Sequence, residues 1–253
     1  MIEITEKGQV SVLTMKFGKS NAQDVELCRE VTRVFEGLRK SDTRAIVLTG
    51  QGSIFSAGVD LIRLTKDGPD YVQELIPALS KMFETVFFFP KPVVSAVNGH
   101  AIAGGCVLAC CADYRVMSKN KGRIGVPELL VGVPFPAVAL EVMRFVSLQQ
   151  YFGELLYTGA TLEPEKALSY GLINALAEPE ELLEHALKIA TNMASLPSNA
   201  FALTKAQVHA PAFAFLQENA EGVDEEVTKQ WSSPLTLAAI QTYVNQTFKK
   251  TGS

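Results

Sequence analysis

Two short stretches of this chain have a composition suited to chemistry by the backbone rather than by side chains. SIFSAGVDL (residues 53–61) and HAIAGGCVL (residues 100–108) each set small residues and glycine after a strand region and directly before an expected helix. The first N–H groups of a helix have no internal partner and lie at the positive end of its dipole. Two such termini brought together aim free donors at one point, and small residues let a ligand oxygen approach closely. That is a recipe for an oxyanion hole. Glycine is costly inside either helix or strand, so Gly104-Gly105 needs a reason. Close helix–strand packing is the structural alternative to a site.

Other chemistries fail on spacing. FGKS at 17–20 resembles the tail of a phosphate-binding loop, but Leu13 stands where the pattern needs its first glycine. TGQGSIF begins like a dinucleotide fingerprint and has Phe55 in place of the third glycine. His100, His185 and His209 show no ligand spacing with the cysteines, so no metal site is expected. No G-x-S-x-G elbow is present. Cys28, Cys106, Cys110 and Cys111 form no C-x-x-C pair and read as buried free thiols in a reducing cytoplasm.

The bulk numbers agree with an enzyme-sized soluble body. The chain has 253 residues, 47% of them hydrophobic and 20% charged, with a net charge of −4. That balance argues against a nucleic-acid surface. The opening MIEITEKGQVSVLTM does not read as a signal peptide, and the apolar runs fall short of the ~20 residues that span a bilayer.

The elements that must position the glycine segments follow from periodicity. IEITEKGQVSVLTM predicts two strands joined at Lys7-Gly8. Val25, Cys28, Val31, Phe35 and Leu38 mark one face of a helix. RAIVLTG and KPVVSAVNG are continuous apolar strands ending in glycine, as strands covered on both faces would be. A helix is expected from about Tyr71 to Phe88 with a break or kink at Pro77. YRVMS, RIGV and GLINALA are further strands, and the last third is helical, with Ser233 capping a helix that starts at Pro234. Strand, glycine turn and helix recur, which supports the α/β class. The organisation predicted is a catalytic core over residues 1–195 and a helical region over 196–253.

FSAGVDL, NGHAIAGGCVLACCADYRV and IGVPELLVGV, in that order, resemble the enoyl-CoA hydratase/isomerase (crotonase) family. The resemblance implies a spiral of ββα units with a C-terminal helical trimerisation region, a homotrimer or hexamer, and an acyl-CoA thioester substrate whose coenzyme A is part of the substrate, with no separate cofactor. It places the two oxyanion donors on the N–H groups of Val59 and Gly104. The carbonyl of Ala57, with Gly58 beside it, and the backbone near Asp60 and Leu61 are then expected to help hold the CoA moiety. Asp60 alternatively caps the helix beginning at Leu61. Relatives also draw CoA contacts from basic residues, for which this chain offers Arg63 after Ile62, and Lys249 or Lys250.

Family hydratases carry two glutamates. One would fall at position 107, which is Val107 here; the other matches Glu128, with one extra residue allowed within MSKNKG. Val107 lies three residues after Gly104, on the same helix face, and makes that wall apolar. An apolar pocket raises the pKa of Glu128 toward that of a general base; capping of a short helix after Pro127 is its structural alternative. One carboxylate suffices to move a double bond from C3 to C2. CVLACCADYRVMSKN also resembles the mitochondrial-type Δ3,Δ2-enoyl-CoA isomerases of the family. An isomerase is therefore the expected activity; a hydratase and a non-catalytic acyl-CoA-binding member are the alternatives. His100 reads as a satisfied loop histidine, and Phe135 and Pro136 as acyl-pocket or turn residues.

Overall fold

The computed structural model describes residues 1–119 and 122–248. It begins with the antiparallel pair β1 (Ile2–Lys7) and β2 (Val10–Met15), followed by α1 (Val25–Arg39). The side chain of Asp24 caps α1 by accepting the N–H of Leu27 at 2.8 Å. Three turns of one pattern follow. The first is β3 (Ala45–Thr49), β4 (Ile54–Ser56) and α2 (Leu61–Phe87). The second is β5 (Val93–Val97), β6 (His100–Ile102) and α3 (Gly104–Cys110); the third is β7 (Tyr114–Ser118), β8 (Ile124–Gly125) and α4 (Glu128–Val131).

Each turn gives one strand to each of two sheets. The larger sheet has the order β1-β2-β3-β5-β7 and is completed by a strand near the end of the core; the smaller begins β4-β6-β8, all parallel. The remaining elements are α5 (Ala137–Val146), α6 (Gln149–Thr158), β9 (Thr161–Leu162), α7 (Pro164–Ser169), β10 (Ala175–Ala177), α8 (Leu182–Ala194), α9 (Ser198–Trp231) and α10 (Pro234–Phe248). β10 adds in parallel to β7, and β9 closes the small sheet antiparallel to β8. This is an α/β spiral of ββα units with a long helical region at its C-terminal side.

The continuous apolar strands are explained by burial on both faces. In β3, Ile46 and Leu48 face the core formed with α1, α2 and α3, whereas Ala45 and Val47 face α8 through Ala186 and Ala190. β4 and β6 are only three residues long, so the stretches read as glycine-bearing turns contain short strands as well.

One expectation is corrected. The break expected at Pro77 occurs at Gly68, which takes φ 73° and ψ −156°, and the helix already begins at Leu61. Glycine reaches that left-handed φ without the Cβ penalty, and Pro69 restarts the helix in its favoured first position. Pro77 continues the helix on an exposed face, where water can satisfy the carbonyl left without an N–H partner. The strand expected in GLINALA is confined to Ala175–Ala177. Ser233 does act as a cap, accepting the N–H of Thr236 at 3.1 Å.

The second glycine of the pair has a packing reason. A Cβ built on Gly105 would sit 2.2 Å from the Ser56 carbonyl oxygen and 2.8 Å from its carbon, so α3 seats directly on β4. Backbone cannot yield there as a flexible side chain would. Gly105→Ala is therefore expected to destabilise the fold by about 1–3 kcal/mol, read as a lower midpoint in urea unfolding; an unchanged midpoint would contradict the seating.

Candidate active site

The site starts from strand-like pairing that leaves one donor over. Gln23 and Val59 form an isolated parallel bridge. The Gln23 N–H donates to the Gly58 carbonyl at 2.7 Å, and the Asp60 N–H donates to the Gln23 carbonyl at 3.1 Å. In a parallel bridge the central residue turns its own N–H to the opposite side. The Val59 N–H accordingly has no partner among the described residues, and Val59 lines an apolar cavity.

The second donor belongs to Gly104. Cys106 and Val107 send their N–H groups to the Ala103 carbonyl at 2.8 and 3.1 Å, whereas the Gly104 N–H has no partner among the described residues. Ala103 itself holds φ 53° and ψ −127°, an unusual conformation for a residue with a Cβ, and this reversal carries the chain from β6 into α3. The two donors come from adjacent backbone. Gly58 adopts φ 81°, and a Cβ on it would meet the Ile102 oxygen at 2.6 Å and the Gly104 nitrogen at 3.2 Å. Only glycine lets the peptide leading into Val59 lie against the start of α3 in this way.

Both residues border a cavity of about 490 Å³ that Glu128 also lines. Glu128 opens the four-residue α4, makes no capping hydrogen bond, and keeps Oε2 buried without a partner among the described residues. Burial pushes its carboxyl up to about 8, against a smaller lowering by its own backbone N–H. Glu128 does stand in the first turn of α4, as the capping alternative expects, and its own N–H is the only backbone donor that lowers its carboxyl among the described residues. Val107 lies on the same wall as Gly104, one turn further along α3, and presents only methyl groups to the cavity.

The other expected positions divide. The Ala57 carbonyl accepts no hydrogen bond among the described residues, and Ala57 and Leu61 line the cavity. Gly58 serves the close approach described above. Asp60 borders the cavity, but its N–H is taken by Gln23 and its carboxylate caps α2 through the Arg63 N–H at 2.9 Å. Arg63 is held by Asp24, Glu26 and Asp67, with its guanidinium 4.7 Å from the Tyr71 ring centre. Lys249 and Lys250 lie outside the described residues, as do Asn120 and Lys121 within MSKNKG. His100 lies in β6 and on the cavity wall, its Nδ1 accepting the Arg123 N–H at 3.3 Å. Pro136 lines the cavity, whereas Phe135 borders a separate groove with Leu140 and Phe152.

Sequence reasoning missed the cavity's far wall. Trp231 at the end of α9 and Tyr243 and Thr247 on α10 close it, and Trp231 is fixed by donating Nε1–H to the Pro134 carbonyl at 2.9 Å. Helical periodicity marks these faces as buried but carries no signal for what they cover. All four cysteines are buried and free. Among the described residues, no cluster of three or more His, Cys, Asp or Glu is arranged to hold a metal, and no helix is long and apolar enough to cross a membrane.

The fold and these two glycine-framed donors define a class. A profile described as enoyl-CoA hydratase/isomerase matches residues 5–246, and the chain belongs to that family. It is 34% identical over 210 residues to a putative enoyl-CoA hydratase of Thermus thermophilus, covering 81% of this chain and 82% of that one. It is 28% identical to the mitochondrial enoyl-CoA delta isomerase 1 of Mus musculus, over 81% of this chain and 72% of that one. Among solved structures, an apo enoyl-CoA isomerase of Mycobacterium tuberculosis superposes with a TM-score of 0.81 at 32% identity, covering 89% of this chain and 98% of that one. Human mitochondrial Δ3-Δ2-enoyl-CoA isomerase superposes with a TM-score of 0.94 at 23% identity, covering 99% of each chain, a likeness of fold.

The burial of Glu128 has a measurable consequence for stability. Its folded-state pKa of about 8 stands above the ordinary 4.5, so the folded protein binds this proton more tightly than the unfolded chain. The group's stabilising contribution is complete below pH 4.5 and is lost as pH rises through about 8. Each pH unit inside that window costs up to about 1.4 kcal/mol. Glu128→Gln removes the titration, so thermal unfolding should show the variant gaining on the wild type from pH 4.5 to 8 and levelling off above. A pH-independent difference would contradict the burial.

Proposed function

We propose that this chain is a Δ3,Δ2-enoyl-CoA isomerase in which Glu128 shuttles one proton and the N–H groups of Val59 and Gly104 hold the thioester oxygen. The observation that carries the reading is a single uncapped carboxylate, buried in an apolar cavity that also receives two unpaired backbone donors.

The chemistry follows. In a 3-enoyl thioester the C2 protons are acidified by the carbonyl and by the C3–C4 double bond. Glu128 takes one of them, and the electron pair of the C2–H bond moves into a dienolate with its negative charge on the thioester oxygen. Two donors aimed at that oxygen stabilise the charge as it forms; losing one such donor typically costs roughly 2.7–4 kcal/mol of barrier. The protonated Glu128 then returns its proton to C4. The electron pair falls back to make C2=C3 and restore C1=O, giving the 2-enoyl thioester. Atoms and charge balance with no cofactor, coenzyme A being part of the substrate.

Val107 supports this reading over hydration. Adding water calls for a second group to position it, and a valine at that wall offers none. The hydratase reading keeps one argument, the name borne by the Thermus relative and by a short-chain-enoyl-CoA hydratase of Clostridium acetobutylicum at 30% identity over 210 residues, 81% of this chain and 80% of that one. A cytoplasmic setting belongs to the same proposal, as does a homotrimer or hexamer, for which exposed apolar side chains such as Leu130 and Tyr157 leave surface.

Parallel assays with a 3-enoyl-CoA and a 2-enoyl-CoA test it. Turnover of the first should far exceed hydration of the second. Glu128→Ala should lower kcat by about 10²–10⁴-fold and leave the circular dichroism unchanged. For the wild type, kcat/KM should rise with pH to an inflection near 8 as the carboxyl of Glu128 loses its proton. Undiminished isomerisation by Glu128→Ala would end the assignment.

A further inference from the structure

We infer that Gln23 is a positioning residue that sets the spacing of the two oxyanion donors, because among the described residues it alone is hydrogen-bonded to both backbone arms that carry them. The inference rests on the reading that the Val59 and Gly104 N–H groups receive a thioester oxygen.

Gln23 is completely buried, with a relative exposure of 0%, and does not line the cavity itself. Its main chain brackets Val59, taking the Gly58 carbonyl on one side and giving its own carbonyl to the Asp60 N–H on the other. Its side chain reaches the other arm. Nε2 donates to the Gly104 carbonyl at 3.0 Å across 81 residues of sequence. The direction of the Val59 N–H follows from the main-chain bridge. The tilt of the Gly104 backbone follows from the carboxamide.

The carboxamide also fills the space beside Gly104. A Cβ on Gly104 would sit 2.1 Å from Oε1 and 3.2 Å from Cδ of Gln23. This explains the first glycine of the pair, as Ser56 explains the second. Oε1 is buried with no hydrogen-bond partner among the described residues. An unpaired buried oxygen of this kind calls for an account. Here it faces the Cα–H of Gly104, a weak contact at most. Turning the amide over would place Oε1 against the Gly104 carbonyl and lose the one strong bond. The orphaned oxygen is thus the cost of directing Nε2 at Gly104, and a purely structural filler of this volume would be apolar.

The test uses Gln23→Met, which keeps the length and removes the donor, and Gln23→Leu, which removes it with a shorter apolar side chain. Two readouts are taken on the full chain: steady-state kinetics with a 3-enoyl-CoA, and the ultraviolet red shift of a bound 2,4-dienoyl-CoA, which reports polarisation of the thioester carbonyl. With folding intact by circular dichroism, kcat should fall by about 10–100-fold, short of the full loss of a donor. KM should move by less than about threefold, since acyl burial carries the binding. The red shift should shrink, and the pH inflection belonging to Glu128 should stay in place.

A folded Gln23→Met protein with wild-type kcat and an undiminished red shift would overturn the inference. So would a loss of kcat with an unchanged red shift, since that would mark general loosening. If the wild type binds the dienoyl-CoA with a red shift but turns over no 3-enoyl-CoA, the isomerase reading fails and the shift alone still judges Gln23. A wild type that gives no red shift overturns both.

Discussion

The arrangement of this molecule turns on a constraint that folded chains ordinarily obey: a buried peptide N–H must have an acceptor. Val59 and Gly104 have none among the described residues, and both border the cavity, where an incoming group can supply one. The rest of the spiral can be understood as the framework that supports this deficit. Parallel pairing with Gln23 uses the amides either side of Val59 and leaves the central one over. The reversal at Ala103 starts a helix before its first donor finds a partner. Gly58 brings the two segments together without a side chain between them. Both amides are thereby held at the cavity wall without an acceptor from the described residues.

The same dryness governs the carboxyl group across the cavity. Methyl-rich walls from Val107, Val131 and Val133 exclude the water that would solvate a negative charge, so Glu128 holds its proton well above the ordinary carboxylate range. The medium that makes an unpaired donor expensive also strengthens its attraction to an oxyanion. The unpaired amides and the carboxyl are therefore tuned by one physical cause. Opening the cavity to solvent would weaken both together.

Much of the frame was legible in the sequence. RAIVLTG and PVVSAVNG announce strands covered on both faces, and the short glycine segments after them mark places where backbone must come close, as Gly105 does to the Ser56 carbonyl. Asp60 was legible as a cap, since a local side chain-to-backbone bond needs only three residues of sequence. The kink was misjudged because proline restricts its own φ, whereas Gly68 could reach a left-handed one that breaks the helix outright. β4 and β6 escaped notice because three residues are too few for a period to register. Glu128 and the donors could be named through the family resemblance. Gln23 could not, for its meaning lies in a bond to Gly104, far along the chain. Trp231 and Tyr243 were hidden for a related reason: an amphipathic face declares that it is covered and not by what.

The cavity wall made by α10 carries one more implication. Tyr243 and Thr247 arrive from the last described helix, which packs on α2 and α4 through Ile240 and Val244. That helix follows the sheets, Glu128 and both amides along the chain, and its Tyr243 and Thr247 complete one wall of the cavity. Anything that occupies the cavity and touches those side chains favours the docked helix by mass action. Docking of that helix and retention of a ligand that touches Tyr243 or Thr247 are thus linked equilibria.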